Sequence, residues 1–164
     1  MTISDNALSY VGQREKPGNS GFKNPEFEKE MKEEGWQYGW AWCAIFAKVV
    51  FKNVYPEKAS ELDKRFSPSA VQTFHNFKNA GYPIYNQPVI DSLVVWQSYK
   101  KGIAQWSGHV GIVVDVLDQN IFRSVEGNAN SAGGREGVEV AVIKRNALSK
   151  PDTGLRLLGF VKIS

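Results

Sequence analysis

A chain of 164 residues and 18.3 kDa can bury one core but is too short for two full-sized domains, so residues 1–164 are read as a single domain. Its 42% hydrophobic, 12% aromatic and 23% charged residues exclude a disordered tail, a coiled coil or a collagen-like fibre, and no run approaches the roughly 18 apolar residues of a membrane span, so no membrane insertion is expected. The net charge of +3 is carried by scattered lysines such as Lys48, Lys78 and Lys144, without the aromatic-laced basic patch of a nucleic-acid binder; no nucleic acid partner is expected, and the excess favours only loose attraction to an anionic polymer.

Met1 to Tyr10 has neither a basic start nor an apolar stretch, so synthesis in the cytoplasm without a secretion signal is expected. The one cysteine, Cys43, cannot form an internal disulfide, which suits a reducing compartment. Ile3 to Gly12 reads as a first helix. The loop Lys16-Pro17-Gly18-Asn19-Ser20-Gly21 follows, and Asn24-Pro25 opens a charged second helix that stops near Gly35. Between Ala41 and Asn53, Trp42, Ile45, Phe46, Val49 and Val50 recur at the 3.6-residue period, the mark of a helix with a buried stripe. A short helix is expected near Lys58 to Lys64. Ser67-Pro68 then supplies a cap and a first-position proline for a helix ending before Gly81.

After Pro83 the runs become β-branched and aromatic: Ser92 to Gln97, His109 to Val116, Ile121 to Glu126, Val138 to Lys144 and Leu158 to Ile163. Helices first and five closely spaced strands after them predict an α+β fold, with the strands as an antiparallel meander.

Cys43 falls in the first turn of the apolar helix, at the flank of its stripe. There the partial positive charge of a helix N-terminus favours the nucleophilic thiolate. A free cysteine is as readily a small buried hydrophobe, and placement alone does not choose. In Gly108-His109-Val110-Gly111 a histidine opens a strand between two glycines, where an imidazole can serve a cysteine as base. His75, beside Phe74 with no polar companion, reads as structural. If Asp118 and Gln119 form a two-residue turn, Leu117 pairs with Asn120, His109 faces Asn128 and Gly111 faces Glu126, so both polar side chains reach the ring. A three-residue turn reverses that parity. With two histidines and one cysteine far apart, no zinc site is expected, and Gly35 to Trp40 offers no carboxylate for calcium, so the chain is read as free of metal and cofactor.

Trp42-Cys43-Ala44-Ile45-Phe46 at a helix start, Gly108-His109-Val110-Gly111 on a strand and Glu126-Gly127-Asn128 after the next strand resemble the CHAP amidase/peptidase pattern of bacteriophage lysins, with NlpC-type hydrolases as relatives. The resemblance runs from the Glu15 to Gly21 loop through the last strands. It departs at Ile90-Asp91-Ser92, where family members carry Gly-Asp. It implies a papain-like fold and hydrolysis of amide bonds in bacterial peptidoglycan, with Cys43 as nucleophile, His109 as base, and Glu126 and Asn128 as orienting partners. In that reading Gln37 or Tyr38 supplies a second oxyanion donor beside the Cys43 N–H, and Trp36, Trp40 and Trp106 frame the substrate groove. The enzyme is expected to be a monomer that reaches the wall or periplasm after release. The rivals are a cysteine protease or deamidase acting on protein, and an inactive virion or binding protein.

Overall fold

The computed structural model describes residues 1–129 and 138–163. In chain order they form α1 (Ile3–Ser9), α2 (Pro25–Glu33), α3 (Cys43–Val54), a short 3-10 turn (Pro56–Lys58) that runs into α4 (Ala59–Arg65), and α5 (Ala70–Asn79). The strands follow as β1 (Ile84–Tyr85), β2 (Leu93–Lys100), β3 (Ile103–Val116), β4 (Ile121–Ala129), β5 (Glu139–Asn146) and β6 (Gly154–Val161). The fold is α+β, and the sheet has six strands rather than five, because a two-residue strand after Pro83 is too short to leave a pattern.

All pairs are antiparallel, in the order β1-β6-β2-β3-β4-β5. Only β2 to β5 is the expected meander. β6 returns to the free edge of β2, which places β2 and β3 in the interior of the sheet and permits their near-continuous apolar runs.

The helix starts follow local chemistry. Thr2 and Asp5 form a reciprocal capping box on α1, and the Asn24 side chain accepts from the N–H groups of Glu26 and Phe27 above Pro25. Ser69, not Ser67, caps α5 through the Gln72 N–H, while Ser67 accepts from the Ser69 N–H and stiffens the entry. By contrast α3 has no side-chain cap: Trp42 occupies the capping position, leaving the first turn's N–H groups for other partners.

Helices α1, α3 and α5 cover one face of the sheet. Ile45, Phe46, Val49, Val50 and Phe51 of α3 are buried there with Leu93, Val95, Val110, Ile112 and Val125. Each such side chain, fully buried, stabilises the fold by roughly 1.5–3 kcal/mol, which is what holds a helix with no cap in place. The alternate positions of the same strands, Val94, Trp96, Val113, Phe122 and Phe160, form a second, smaller cluster on the other face. Asp91, with φ of 65°, donates its N–H to Val113 O and accepts from the Ser4 N–H at 2.8 Å, so the residue before β2 also anchors α1.

The β3–β4 connection is one residue longer than the pairing of Leu117 with Asn120 requires. Val116 lies opposite Phe122, and the Asp118 carboxylate accepts from the N–H groups of Asn120 and Ile121. A bulge between Val113 and Asp115 then absorbs the extra residue, and Ile112 lies opposite Val125. From there the register is the one a two-residue turn gives: a Cβ added at Gly111 would stand 2.8 Å from Glu126 Cγ.

Candidate active site

Cys43 is the first residue of α3 and is 6% exposed. It borders a groove of about 330 Å³ whose walls include Trp40, Ser69, Trp106 and Gly108. A larger hollow, about 700 Å³ between Arg14, Lys23 and Glu26, contains none of the catalytic candidates.

His109 pairs with Trp96 across β2 and β3, which sets its ring on the sheet face away from the helices. The ring is wholly buried, not open as its flanking glycines led us to expect. Trp96 stacks on it at 5.8 Å between centroids and 22° between planes. Gly111 is needed for the Glu126 side chain rather than for substrate: any Cβ there would collide with Glu126 Cγ.

His109 Nε2 donates to Glu126 Oε1 at 2.7 Å. Arg145 grips the same carboxylate at two points, Nε to Oε2 at 2.9 Å and Nη2 to Oε1 at 2.6 Å, and Ser124 Oγ donates to Oε2 at 2.5 Å. The Arg145 guanidinium also lies over the Trp96 ring at 4.9 Å. The other ring nitrogen, Nδ1, is buried and has no hydrogen-bond partner of ordinary geometry among the described residues, yet the ring and the Cys43 thiol interact closely enough to shift each other's protonation.

Those shifts follow from charge. Burial opposes ionisation of Glu126, but the His109 ring and then Arg145 outweigh it and hold its pKa at about 2. Burial likewise works against a charged His109. The Glu126 carboxylate, then the thiol, overcome that and raise its pKa to about 9. For Cys43 burial again opposes the charge, and the His109 ring, with the N–H groups of Val110 and Ala44, draws the thiol pKa below its usual value. All three shifts favour one state, a thiolate beside an imidazolium backed by a carboxylate.

Asn128 is buried, with φ of 53°, inside the irregularity between the Glu126 and Ala129 pairs with β5, so strand alternation no longer assigns its face. Gly127 between them sits on the helix side, where an added Cβ would stand 2.9 Å from Phe46 Cβ and 2.9 Å from Trp42 Cζ3. That close approach sets Glu126 and α3 relative to each other.

Trp40, 38% exposed, and Trp106, 83% exposed, line the groove. Trp36 does not: it is buried against Phe22, and its Nε1–H donates to Trp40 O, so it braces the loop that carries Trp40. Tyr38 turns toward α2, where its hydroxyl accepts from Lys32 Nζ at 3.0 Å, and Gln37 is exposed; neither lines the Cys43 groove. His75 is on the exposed side of α5. Arg145, Ser124 and the stacking role of Trp96 were missed by sequence reasoning. The signal for Arg145 was present, since a strand extended past Lys144 alternates Ala141, Ile143 and Arg145 onto the face of Glu126, its pairing partner being Ala141.

Among the described residues no three His, Cys, Asp or Glu side chains cluster as a metal site would require. The family model described as the CHAP domain matches residues 33–128, from the end of α2 through Cys43 and His109 to Asn128. No curated protein and no solved structure matches the chain.

Proposed function

We propose that this chain, which belongs to the CHAP domain family of amidases and peptidases, hydrolyses an amide bond in the peptide part of bacterial peptidoglycan with Cys43 as nucleophile. The observation that carries the reading is the connected series Cys43, His109, Glu126, Arg145, with Cys43 at its head bordering the groove.

The Cys43 thiolate attacks the scissile carbonyl carbon, and the developing oxyanion is met by the Cys43 N–H at the start of α3, a group that helix geometry leaves without an intrahelical partner. The His109 imidazolium gives its proton to the departing amine. The neutral ring then takes a proton from water, which hydrolyses the thioester. Glu126 fixes the ring orientation and stabilises the imidazolium, as a buried carboxylate does in a triad. Arg145 and Ser124 hold Glu126 in turn. Asn128 completes the set as a second orienting residue.

The bond lies in the stem peptide or a crosslink, and the enzyme acts as a monomeric endolysin on the wall or periplasm after release. The test is incubation of the purified protein with purified cell walls and, separately, with casein, followed by mass spectrometry of released fragments. Soluble muropeptides with a new amine are expected from walls. Cleavage of casein with intact walls would mean a protease, and no product from either would mean a binding protein.

A further inference from the structure

Beyond the exposed Trp106 ring lies a second pocket of about 620 Å³, and Trp106 and Ser107 line both it and the Cys43 groove. The two are therefore contiguous across one side chain. The second pocket is walled by Ser98, Lys100, Gln105, Arg145 and Thr153 among others, and among the described residues no Asp or Glu lines it.

Among the described lining residues two cations face the cavity with no carboxylate beside them, which makes that wall positive. The Arg145 guanidinium spends Nε and one Nη2 hydrogen on Glu126, and carries further N–H groups beyond these. Ser98 supplies a separate observation. The residue is 8% exposed, and its hydroxyl oxygen is buried with no hydrogen-bond partner among the described residues. A buried hydroxyl without a partner is costly and rare, and here it belongs to the wall of a pocket that Lys100 and Arg145 also line. Gln105 and Thr153 are already engaged: Gln105 Nε2 donates to Ile103 O, and Thr153 Oγ1 accepts from the Lys101 N–H. The nearest acid in sequence, Asp152, is 93% exposed and turns to Arg156.

We propose that this pocket is a substrate subsite for a free carboxylate of the peptide, received by Ser98, Lys100 and Arg145 while Trp106 packs against the chain that joins it to the bond at Cys43. The proposal rests on the peptidoglycan reading and adds a specificity to it. Because Arg145 also holds Glu126, an occupied subsite sits one residue from the group that fixes the His109 ring.

The test is calorimetric titration of the full chain carrying Cys43→Ala with an N-acetylmuramoyl tripeptide whose carboxylates are free, and with the same compound fully amidated. A charge-assisted hydrogen bond lost at a half-open site corresponds to about tenfold in affinity, so the amidated compound should bind about tenfold more weakly. Lys100→Gln and Ser98→Ala should weaken the free acid several-fold and leave the amidated compound unchanged. Lys100 is exposed, so its variant keeps the fold even if Ser98→Ala does not. Equal binding of the two compounds, no binding of either, or an equal loss for both in Lys100→Gln overturns the subsite. Turnover of walls by the native chain is read separately. Lysis with no carboxylate preference removes the subsite and keeps the hydrolase. Carboxylate-dependent binding with no lysis keeps the pocket and removes the hydrolase.

Discussion

Replacing Glu126 by Gln takes one negative charge out of a site where the carboxylate accepts from His109 Nε2, Ser124 Oγ and Arg145 Nε and Nη2 at 2.5–2.9 Å. The amide keeps an acceptor oxygen but turns an NH2 group toward donors. Two estimates of the cost agree. The carboxyl pKa is held at about 2 against a usual 4.5, and a carboxylate whose folded pKa lies below its unfolded one stabilises the fold by an amount fully present above the unfolded value and lost as pH falls through the folded value. That difference corresponds to about 3 kcal/mol. Independently, stripping one partner from a buried ion pair costs about 3–5 kcal/mol, because Arg145 and the imidazolium are left without a counter-charge. At about 2–4 °C per kcal/mol for a chain of this size, Glu126→Gln should melt roughly 6–20 °C below the native protein at pH 7. Thermal unfolding followed by circular dichroism from pH 8 down to pH 2 checks this. The gap should hold down to about pH 4.5 and then narrow steadily, since the native carboxylate protonates and loses its advantage. A variant within about 2 °C of the native protein at pH 7, or a gap that ignores pH, refutes the charge argument. Wall lysis should fall by roughly 100-fold or more, though less than in His109→Ala, because the amide still positions the ring.

Cys43→Ala should abolish release of wall fragments without lowering the melting temperature at pH 6.5, and iodoacetamide should silence the native protein in proportion to Cys43 modified while millimolar chelator leaves it unchanged; a tenth of the activity surviving in Cys43→Ala would sink the nucleophile. The exposed His75 is the control, and His75→Ala should keep full activity. The same Cys43→Ala variant should show a steeper loss of stability with rising pH than the native chain. The His109 pKa, raised to about 9 chiefly by Glu126, gives stability present below its usual 6.5 and lost as pH rises through the folded value, whereas the depressed Cys43 pKa runs the opposite way. Between pH 6.5 and 9 the native melting temperature should fall less steeply than the Cys43→Ala one; parallel curves would mean that the thiol and ring do not share a proton. Gly127→Ala forces a methyl to 2.9 Å from Phe46 and Trp42, and overpacking of that kind costs about 1–3 kcal/mol, read as a loss of thermal stability together with activity.

The parts of this molecule that sequence periodicity reaches are those decided within one element. The apolar stripe of α3 and the position of Cys43 at its start depend on residues a turn apart, and the β-branched runs announce their own strands. What it does not reach is set by partners far along the chain. β6 pairs with β2 and leaves the meander because an edge was free, not because its residues differ from those of β5. Trp36 and Trp40 are equally aromatic, but the cluster of Phe22, Phe27 and Trp42 takes Trp36 inward and leaves Trp40 at the groove.

The Glu126 to His109 bond shows how a register can be right at the site while wrong at the turn. Strand alternation has a period of two, so the extra residue between Val116 and Phe122 alone would have sent Glu126 to the helix face. A single inserted residue between Val113 and Asp115 restores the parity before the strand reaches Gly111. The bulge and the turn therefore act together: were Val114 paired in a regular ladder, Glu126 would lie opposite Ile112 instead of Gly111. Deleting Val114 removes only the unpaired residue, so Val113 stays opposite Ser124, Gly111 stays opposite Glu126, and lysis should persist. Deleting Val113 together with Val114 takes one paired residue out of β3, sets Val110 opposite Glu126 and should separate the carboxylate from the His109 ring, with loss of lysis. If the single deletion is inactive in a folded protein, or the double deletion is active, register does not govern the contact between Glu126 and His109.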